Sequence, residues 1–375
     1  MMGELARRYP PHTLVVSTGA YPGGAESDAA FPQVVDRVGI RATRLRTING
    51  LALWTARASS LVRRHHPRFA WCGELKPAGY PARFVSRWQG VPYGVVAHGT
   101  ELLLLDAKIR RSRFKRWTAG SLLAGSAVIA ANSTWTGDLA RSVLELLGRP
   151  ELARRVRVVP LGTEPREFRP GLDTRAVRER YGLDDRGGPW LLTVARLEWH
   201  KGIDTVIQAL PAIRAAHPGT RYAVAGVGAR LPLFEQVARD AGVADAVKFL
   251  GGVPDADLPF LYNAVDLYVG ASRRVELLVE GFGIALVEAS ASGLAVVGGR
   301  SGGVPDAVRD GETGILVDPD APAAVAAGVN RLLGDPDLRR RLGAAGRKAV
   351  ETYYNWDRVA RDLIAIDAEF RRVGR

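Results

Sequence analysis

The chain of 375 residues has one cysteine, Cys72, so it can form neither an internal disulfide nor a multi-cysteine zinc site. Its six histidines are scattered without metal-ligand spacing, and the adjacent His65 and His66 cannot share one helix face. No metal is expected. No apolar run reaches the roughly 20 residues that cross a bilayer, and the first eight residues lack the apolar core of a secretory leader. Repeats and low-complexity stretches are absent too. These absences point to a reducing, cytoplasmic setting. Acidic residues are scarce in one part of the chain. Residues 1–160 hold 24 Lys and Arg against 10 Asp and Glu, a net +14, whereas the remainder holds 28 and 29, a net −1. The overall charge of +13 therefore belongs to the first part, which suggests an anionic partner there.

What is present is ordinary for a globular protein of two domains: 47% hydrophobic and 24% charged residues. Short apolar runs alternate with helical patterns. In the first part the expected strands are 13–17, 41–45, 69–72, 93–98, 127–130 and 156–159, with helices that include 51–64 and 134–147. In the second they are 190–194, 222–225, 247–250, 265–269, 295–297 and 314–317. Helices there are expected at 203–215, 231–241, 256–263, 282–292, 321–333 and 336–349. Such alternation implies parallel sheets in doubly wound α/β domains, with ligands beyond the carboxyl ends of the strands and an active site in a cleft between the domains. The run 160–165, Pro-Leu-Gly-Thr-Glu-Pro, reads as the linker. Residues 4–8 read as the end of a helix before the first strand. The strand that usually opens such a domain is therefore expected to be missing or to lie upstream.

The densest chemistry lies in 279–288, Val-Glu-Gly-Phe-Gly-Ile-Ala-Leu-Val-Glu. Glu280 falls before a helix and Glu288 within it, roughly 12 Å apart at helical rise. Gly281 and Gly283 allow close backbone approach, and the first helical N–H groups form an anion cradle. The segment thus offers a carboxylate, a phosphate site and a second carboxylate, suited to a sugar diphosphate with a ribose at its other end; the alternative is a solvent-facing glutamate and an ordinary helix cap. Arg196 and Lys201 share one loop between a strand and a helix, where two cations can neutralise a diphosphate. His98 ends an apolar strand, placed either to bond a transferred group or as a core histidine bonded to backbone. Gly226, in Ala-Gly-Val-Gly-Ala, could let a nucleotide lie against the backbone, although the dinucleotide fingerprint is incomplete. The run 299–306, Gly-Arg-Ser-Gly-Gly-Val-Pro-Asp, is either a backbone nest near a charged ligand or a plain turn. The basic stretch 108–117 reads as one helix. It either rests on anionic lipid headgroups or packs Ile109 and Trp117 inward; no nucleic-acid-binding signature accompanies it.

Together these motifs resemble glycosyltransferase family 4, the retaining GT-B sugar transferases. The resemblance runs from about Leu5 to Trp356 and is strongest from Arg196 to Val317. It rests on the Glu280–Glu288 pair, Gly281-Phe282-Gly283, the run from Ser301 to Val308, Asn132-Ser133 and Pro160-Leu161-Gly162. The stretch 277–283 is similar to bacterial mannosyltransferases acting on phosphatidylinositol mannosides. The resemblance implies two Rossmann-like domains, 1–164 with 352–375 for the acceptor and 165–351 for the donor. The last helix would cross back to the first domain near Trp356. It implies that Arg196 and Lys201 hold a donor diphosphate, Glu288 a ribose, and Glu280 the hydroxyls of the transferred sugar. The N–H groups of Phe282, Gly283 and Ile284 would meet the distal phosphate or sugar, and His98 the donor sugar near its reacting carbon. The implied donor is GDP-mannose or a UDP-hexose, and no cofactor is implied. The implied acceptor is lipid-linked, a glycan or a small molecule, on a protein that is cytoplasmic or peripheral on an anionic membrane face. The family's glycine-rich loop after the first strand is not found here. A sugar-nucleotide epimerase of the same architecture and a binding protein unable to transfer are the two alternatives.

Overall fold

The structure, a computed structural model, describes residues 2–20, 24–29, 31–39, 46–183 and 187–371. The chain divides into two compact units, Met1–Val159 with Trp356–Arg375, and Pro160–Asn355. The first unit begins with α1 (Met2–Arg8), β1 (Val15–Gly19), α2 (Gly24–Ala29), β2 (Val34–Val38) and α3 (Arg46–His65). It continues through β3 (Ala70–Cys72), α4 (Gly79–Gln89), β4 (Tyr93–Ala97), α5 (Thr100–Arg111), α6 (Arg113–Gly125), β5 (Val128–Ala131), α7 (Thr134–Leu146) and β6 (Val156–Val158). Its strands form two sheets. β1 and β2 pair in parallel by themselves, and a second parallel sheet has the order β3-β4-β5-β6. Apolar faces of α5, α6 and α7 close over the four-stranded sheet, with Leu102, Leu122, Leu123, Ile129 and Leu144 fully buried.

The second unit holds α8 (Arg175–Tyr181), β7 (Trp190–Val194), α9 (Ile203–Ala216), β8 (Arg221–Ala225), α10 (Leu231–Asp240), β9 (Val247–Gly251), α11 (Leu258–Asn263) and β10 (Leu267–Gly270). Then come α12 (Ile284–Ala291), β11 (Val296–Gly299), α13 (Val304–Ala307), β12 (Ile315–Val317), α14 (Pro322–Gly334) and α15 (Pro336–Thr352). Its six strands make one parallel sheet in the order β12-β11-β10-β7-β8-β9. The order reverses at β7 and β10, and the crevice beyond the carboxyl ends of such a pair is where doubly wound sheets bind ligands. β7 is apolar except for Thr193, which is buried and donates to the Val269 carbonyl, because both faces of the sheet are covered. α9 presents Ile203, Val206, Ile207, Leu210 and Ile213, a helical-period stripe, to that core. The last helix, α16 (Trp356–Arg371), belongs to the first unit, where Arg8 donates to Asp357 at 2.7 Å.

The expected strands of the second unit all form, within two residues of their expected ends. The first unit departs more. Its first strand begins at Val15 rather than Thr13, and the expected strand at 41–45 lies outside the described residues. β2 was not foreseen because Asp36 and Arg37 interrupt its apolar pattern. Those charges are paired, Asp36 with Arg57 and Arg37 with Asp28, both at 2.6 Å. The basic stretch 108–117 is two helices, not one. Ser112 is extended (φ −146°, ψ 117°), ends α5 and caps α6 by accepting from the Lys115 N–H at 3.3 Å. The 160–165 run is packed rather than free. Leu161 is buried, the Thr163 N–H donates to the Tyr354 carbonyl at 3.0 Å, and a Cβ on Gly162 would press on the Asn355 backbone.

Phe234 on α10 is fully buried, its ring edge-on to Trp199 at 4.9 Å. Phe234→Ala is expected to cost about 3–5 kcal/mol. In urea unfolding followed by circular dichroism, the transition of the second unit should shift to lower urea with its slope unchanged.

Candidate active site

Two loops at the switch point carry the site. The first follows β7 and holds Arg196, His200 and Lys201; the second follows β10 and leads through Glu280 to α12. The Lys201 ammonium donates to Glu280 Oε2 at 2.5 Å, with both side chains largely buried. Arg196 is exposed and forms no salt bridge among the described residues. His200, in the same loop, is buried. Burial first, then the charge of Lys201, holds its imidazole below the ordinary histidine value, with Glu280 opposing and Arg196 adding to the effect. Arg196, Lys201 and Glu280 thus lie within electrostatic reach of one ring.

The loops are stitched by backbone. The Arg273 N–H donates to the His200 carbonyl at 2.8 Å, while its guanidinium grips Asp204 on α9 at 2.6 and 3.0 Å. Gly202 has φ +68°, and a Cβ there would strike the Ala271 carbonyl. Gly302, at φ +55°, lies against the Glu280 carbonyl, which accepts from the Gly303 N–H at 2.9 Å. The 299–306 run therefore supports the Glu280 turn from behind. Gly226 serves its neighbours in the same way, since a Cβ would strike the Ala195 carbonyl in the Arg196 loop.

Gly283, at φ +102°, starts α12. Leu286 makes the first bond back, to the Gly283 carbonyl at 3.0 Å, and the earlier N–H groups of the turn have no acceptor within the helix. The Phe282 ring is buried at 2% exposure, 6.2 Å from Tyr354, so only its backbone can face a ligand. On α12, Glu288 accepts from the Tyr262 hydroxyl at 2.8 Å. Burial drives its carboxyl up to about 7 from an ordinary 4.5, against the Tyr262 bond and with help from the charges of Asp255 and Glu167. The Tyr268 hydroxyl on β10 is raised by burial, against the bond it donates to the Val194 carbonyl, and further by the charges of Glu288 and Glu280.

Sequence reading missed Tyr262, Tyr268, Asp204 and Arg273. Each meets the site through packing between elements far apart in the chain, and none has a local spacing that could mark it. In the first unit, His98 follows β4. Its backbone N–H donates to Glu101 Oε1 at 2.5 Å, and its ring Nε2 is 2.8 Å from the Gly73 carbonyl. A carbonyl only accepts, so Nε2 carries the proton and Nδ1 of the neutral ring is the acceptor.

A family model described as "Glycosyl transferases group 1" matches residues 178–349, the span that holds nearly all of this machinery. A GDP-mannose-dependent alpha-(1-6)-phosphatidylinositol monomannoside mannosyltransferase of Mycolicibacterium smegmatis is 32% identical over 360 residues, 95% of this chain and 89% of that protein. The chain belongs to the group 1 glycosyltransferases. It is a hexosyltransferase with the GT-B fold. A D-inositol 3-phosphate glycosyltransferase of Acidothermus cellulolyticus is 38% identical over 244 residues, 62% of this glycosyltransferase and 51% of that one. In three dimensions, Anabaena HepE in complex with UDP aligns at a TM-score of 0.78 over 98% of this chain and 95% of that one, at 19% identity. Sucrose-phosphate synthase of Thermosynechococcus elongatus aligns at 0.73 over 99% and 98%, also at 19%. These two likenesses concern the fold.

The titration of Glu288 gives a prediction with a definite sign. Between pH 4.5 and about 7 the folded glycosyltransferase keeps a proton that the unfolded chain has released. Stability therefore falls as pH rises through that window and levels off above it, by at most about 3 kcal/mol. Glu288→Gln should remove this slope in thermal melts taken from pH 4.5 to 8, and above pH 7 the variant should melt higher than the parent.

Proposed function

We propose that this glycosyltransferase is a retaining enzyme of family 4 that moves mannose from GDP-mannose to a lipid-linked acceptor at an anionic cytoplasmic membrane face. The observation that carries the reading is the Lys201–Glu280 pair beside the exposed Arg196 at the β7–β10 switch point. The similarity to a GDP-mannose-dependent enzyme over 95% of the chain favours mannose and guanine over a UDP-hexose. Acceptors named for the relatives, phosphatidylinositol monomannoside and inositol 3-phosphate, are both anionic. That chemistry matches the basic excess of residues 1–160.

Each residue then has a role. Arg196 and Lys201 neutralise the diphosphate as it departs, so no metal and no cofactor are proposed. The N–H groups of Phe282, Gly283 and Ile284 at the start of α12 bind the distal phosphate or the sugar. Lys201 occupies Oε2 of Glu280 and leaves Oε1 to accept from sugar hydroxyls. Glu288, already bonded to one hydroxyl, accepts from the ribose, and Gly226 keeps the neighbouring wall open to the nucleotide. His98 is the residue of the first unit assigned to the transferred sugar. In the retaining step, the bond from the anomeric carbon to the diphosphate oxygen breaks. The acceptor oxygen bonds to that carbon on the same face, and its proton passes to the departing diphosphate.

Two measurements test this. GDP-mannose should raise the melting temperature more than UDP-glucose at equal concentration, with about 2.7 kcal/mol of stabilisation at 100 times Kd. Turnover should release free GDP and give the α-anomer by NMR, whereas an epimerase would release no nucleotide. Glu280→Ala should lower turnover by about 100- to 1,000-fold while GDP alone still stabilises the variant. Unchanged turnover in that variant would end the assignment.

A further inference from the structure

The break between α5 and α6 creates a surface that the sugar-transfer site does not use. Within 108–117 stand six cations, Lys108, Arg110, Arg111, Arg113, Lys115 and Arg116, and no acid. Only Arg110 has a salt-bridge partner among the described residues, Asp106 at 2.8 Å. Because Ser112 redirects the chain, Phe114 and Trp117 fall three apart on the first turns of α6 and face outward, 64% and 70% exposed, with rings 6.2 Å apart. Ile109 is buried, so of the two residues that could have packed inward only one does. Lys76, from the loop after β3, lies against the Tyr80 ring, its ammonium 5.8 Å from the centroid. Burial, then the charges of Lys115 and Lys108, holds that ammonium below the ordinary lysine value, so the three lysines share one neighbourhood. None of the three forms a salt bridge among the described residues. A cluster of unpaired cations with a protruding tryptophan and phenylalanine matches an anionic membrane interface. Such interfaces attract lysine by surface potential and hold aromatic rings at headgroup depth.

We propose that Lys76, Lys108 and Lys115 hold the phosphates of an anionic phospholipid bilayer while Phe114 and Trp117 enter its interface. This deepens the reading of a lipid-linked acceptor by naming the surface that brings the enzyme to it. A bilayer is favoured over a soluble phosphate because a small anion gives no role to two exposed aromatic rings.

The test is co-flotation of the full chain with vesicles at 0.15 M salt. Wild type should bind vesicles containing 30% phosphatidylglycerol at least tenfold better than pure phosphatidylcholine. At about fivefold per charge, Lys76→Gln, Lys108→Gln and Lys115→Gln together should lower partitioning about 100-fold. Phe114→Ser with Trp117→Ser should lower it at least tenfold. Brominated lipid should quench wild-type tryptophan emission more than that of Trp117→Phe. Removing three cations elsewhere, by Arg340→Gln, Arg341→Gln and Lys348→Gln on α15, should leave binding within threefold. Equal loss in that control, equal binding to neutral vesicles, or full binding by the lysine variant would overturn the proposal. So would lysine-dependent thermal stabilisation by soluble inositol phosphate in a chain that ignores vesicles. GDP-mannose stabilisation, read on the same variants, reports the donor site separately, so a failed donor reading and a failed docking surface give different results.

Discussion

The second unit is organised around the ion pair between Lys201 and Glu280, 2.5 Å apart and largely buried. A buried pair survives only where its surroundings hold both charges in register, because desolvation costs several kcal/mol per ion. The surroundings here are backbone. Arg273 ties the Lys201 loop to the loop after β10, Gly202 lets the two loops touch, and Gly302 and Gly303 brace the Glu280 carbonyl. The glycines of this region thus serve close packing between loops as much as closeness to a ligand. Arg196 is left exposed in the same loop as Lys201, a cation with no salt bridge among the described residues, as a site for an anion requires.

The two glutamates of the motif have different electrostatic lives. Glu280 faces a lysine. Glu288, eight residues further along, faces a tyrosine hydroxyl in a buried setting that raises its carboxyl to about 7. A site with an ion pair at one end and, at the other, a carboxyl that burial makes harder to ionise is asymmetric by construction. That asymmetry suits a ligand whose charge lies in its middle and whose ends carry hydroxyls. Tyr268 is buried, and the charges of both carboxylates raise its hydroxyl.

The first unit solves a different problem. Its charge excess is spread over surface arginines, but at the α5–α6 break six cations come together, of which Arg110 alone has a salt-bridge partner among the described residues, beside two exposed rings. One extended residue, Ser112, makes the difference. A continuous helix from 108 to 117 would have turned Trp117 through a fixed angle from Ile109, and the break frees it to point outward.

The sequence alone determined the alternation of strands and helices in the second unit, because its central strands, β7, β8, β10 and β11, are mostly buried and apolar and helices such as α9 carry an apolar stripe. It also marked Arg196, Lys201, Glu280 and Glu288, since loops after strands of a parallel sheet leave few places for such residues. It was less decisive in the first unit, where β2 carries paired charges on an apolar pattern and one serine splits a helix. Only the tertiary structure decided which charges meet. Lys201 reaches Glu280 across 79 positions and Tyr262 reaches Glu288 across 26, through the packing of β7 on β10 and α11 on α12. Local periodicity encodes which face of an element is apolar. It does not encode which polar atoms converge once those faces are packed, because that depends on the strand order and the crossing of elements distant in the chain.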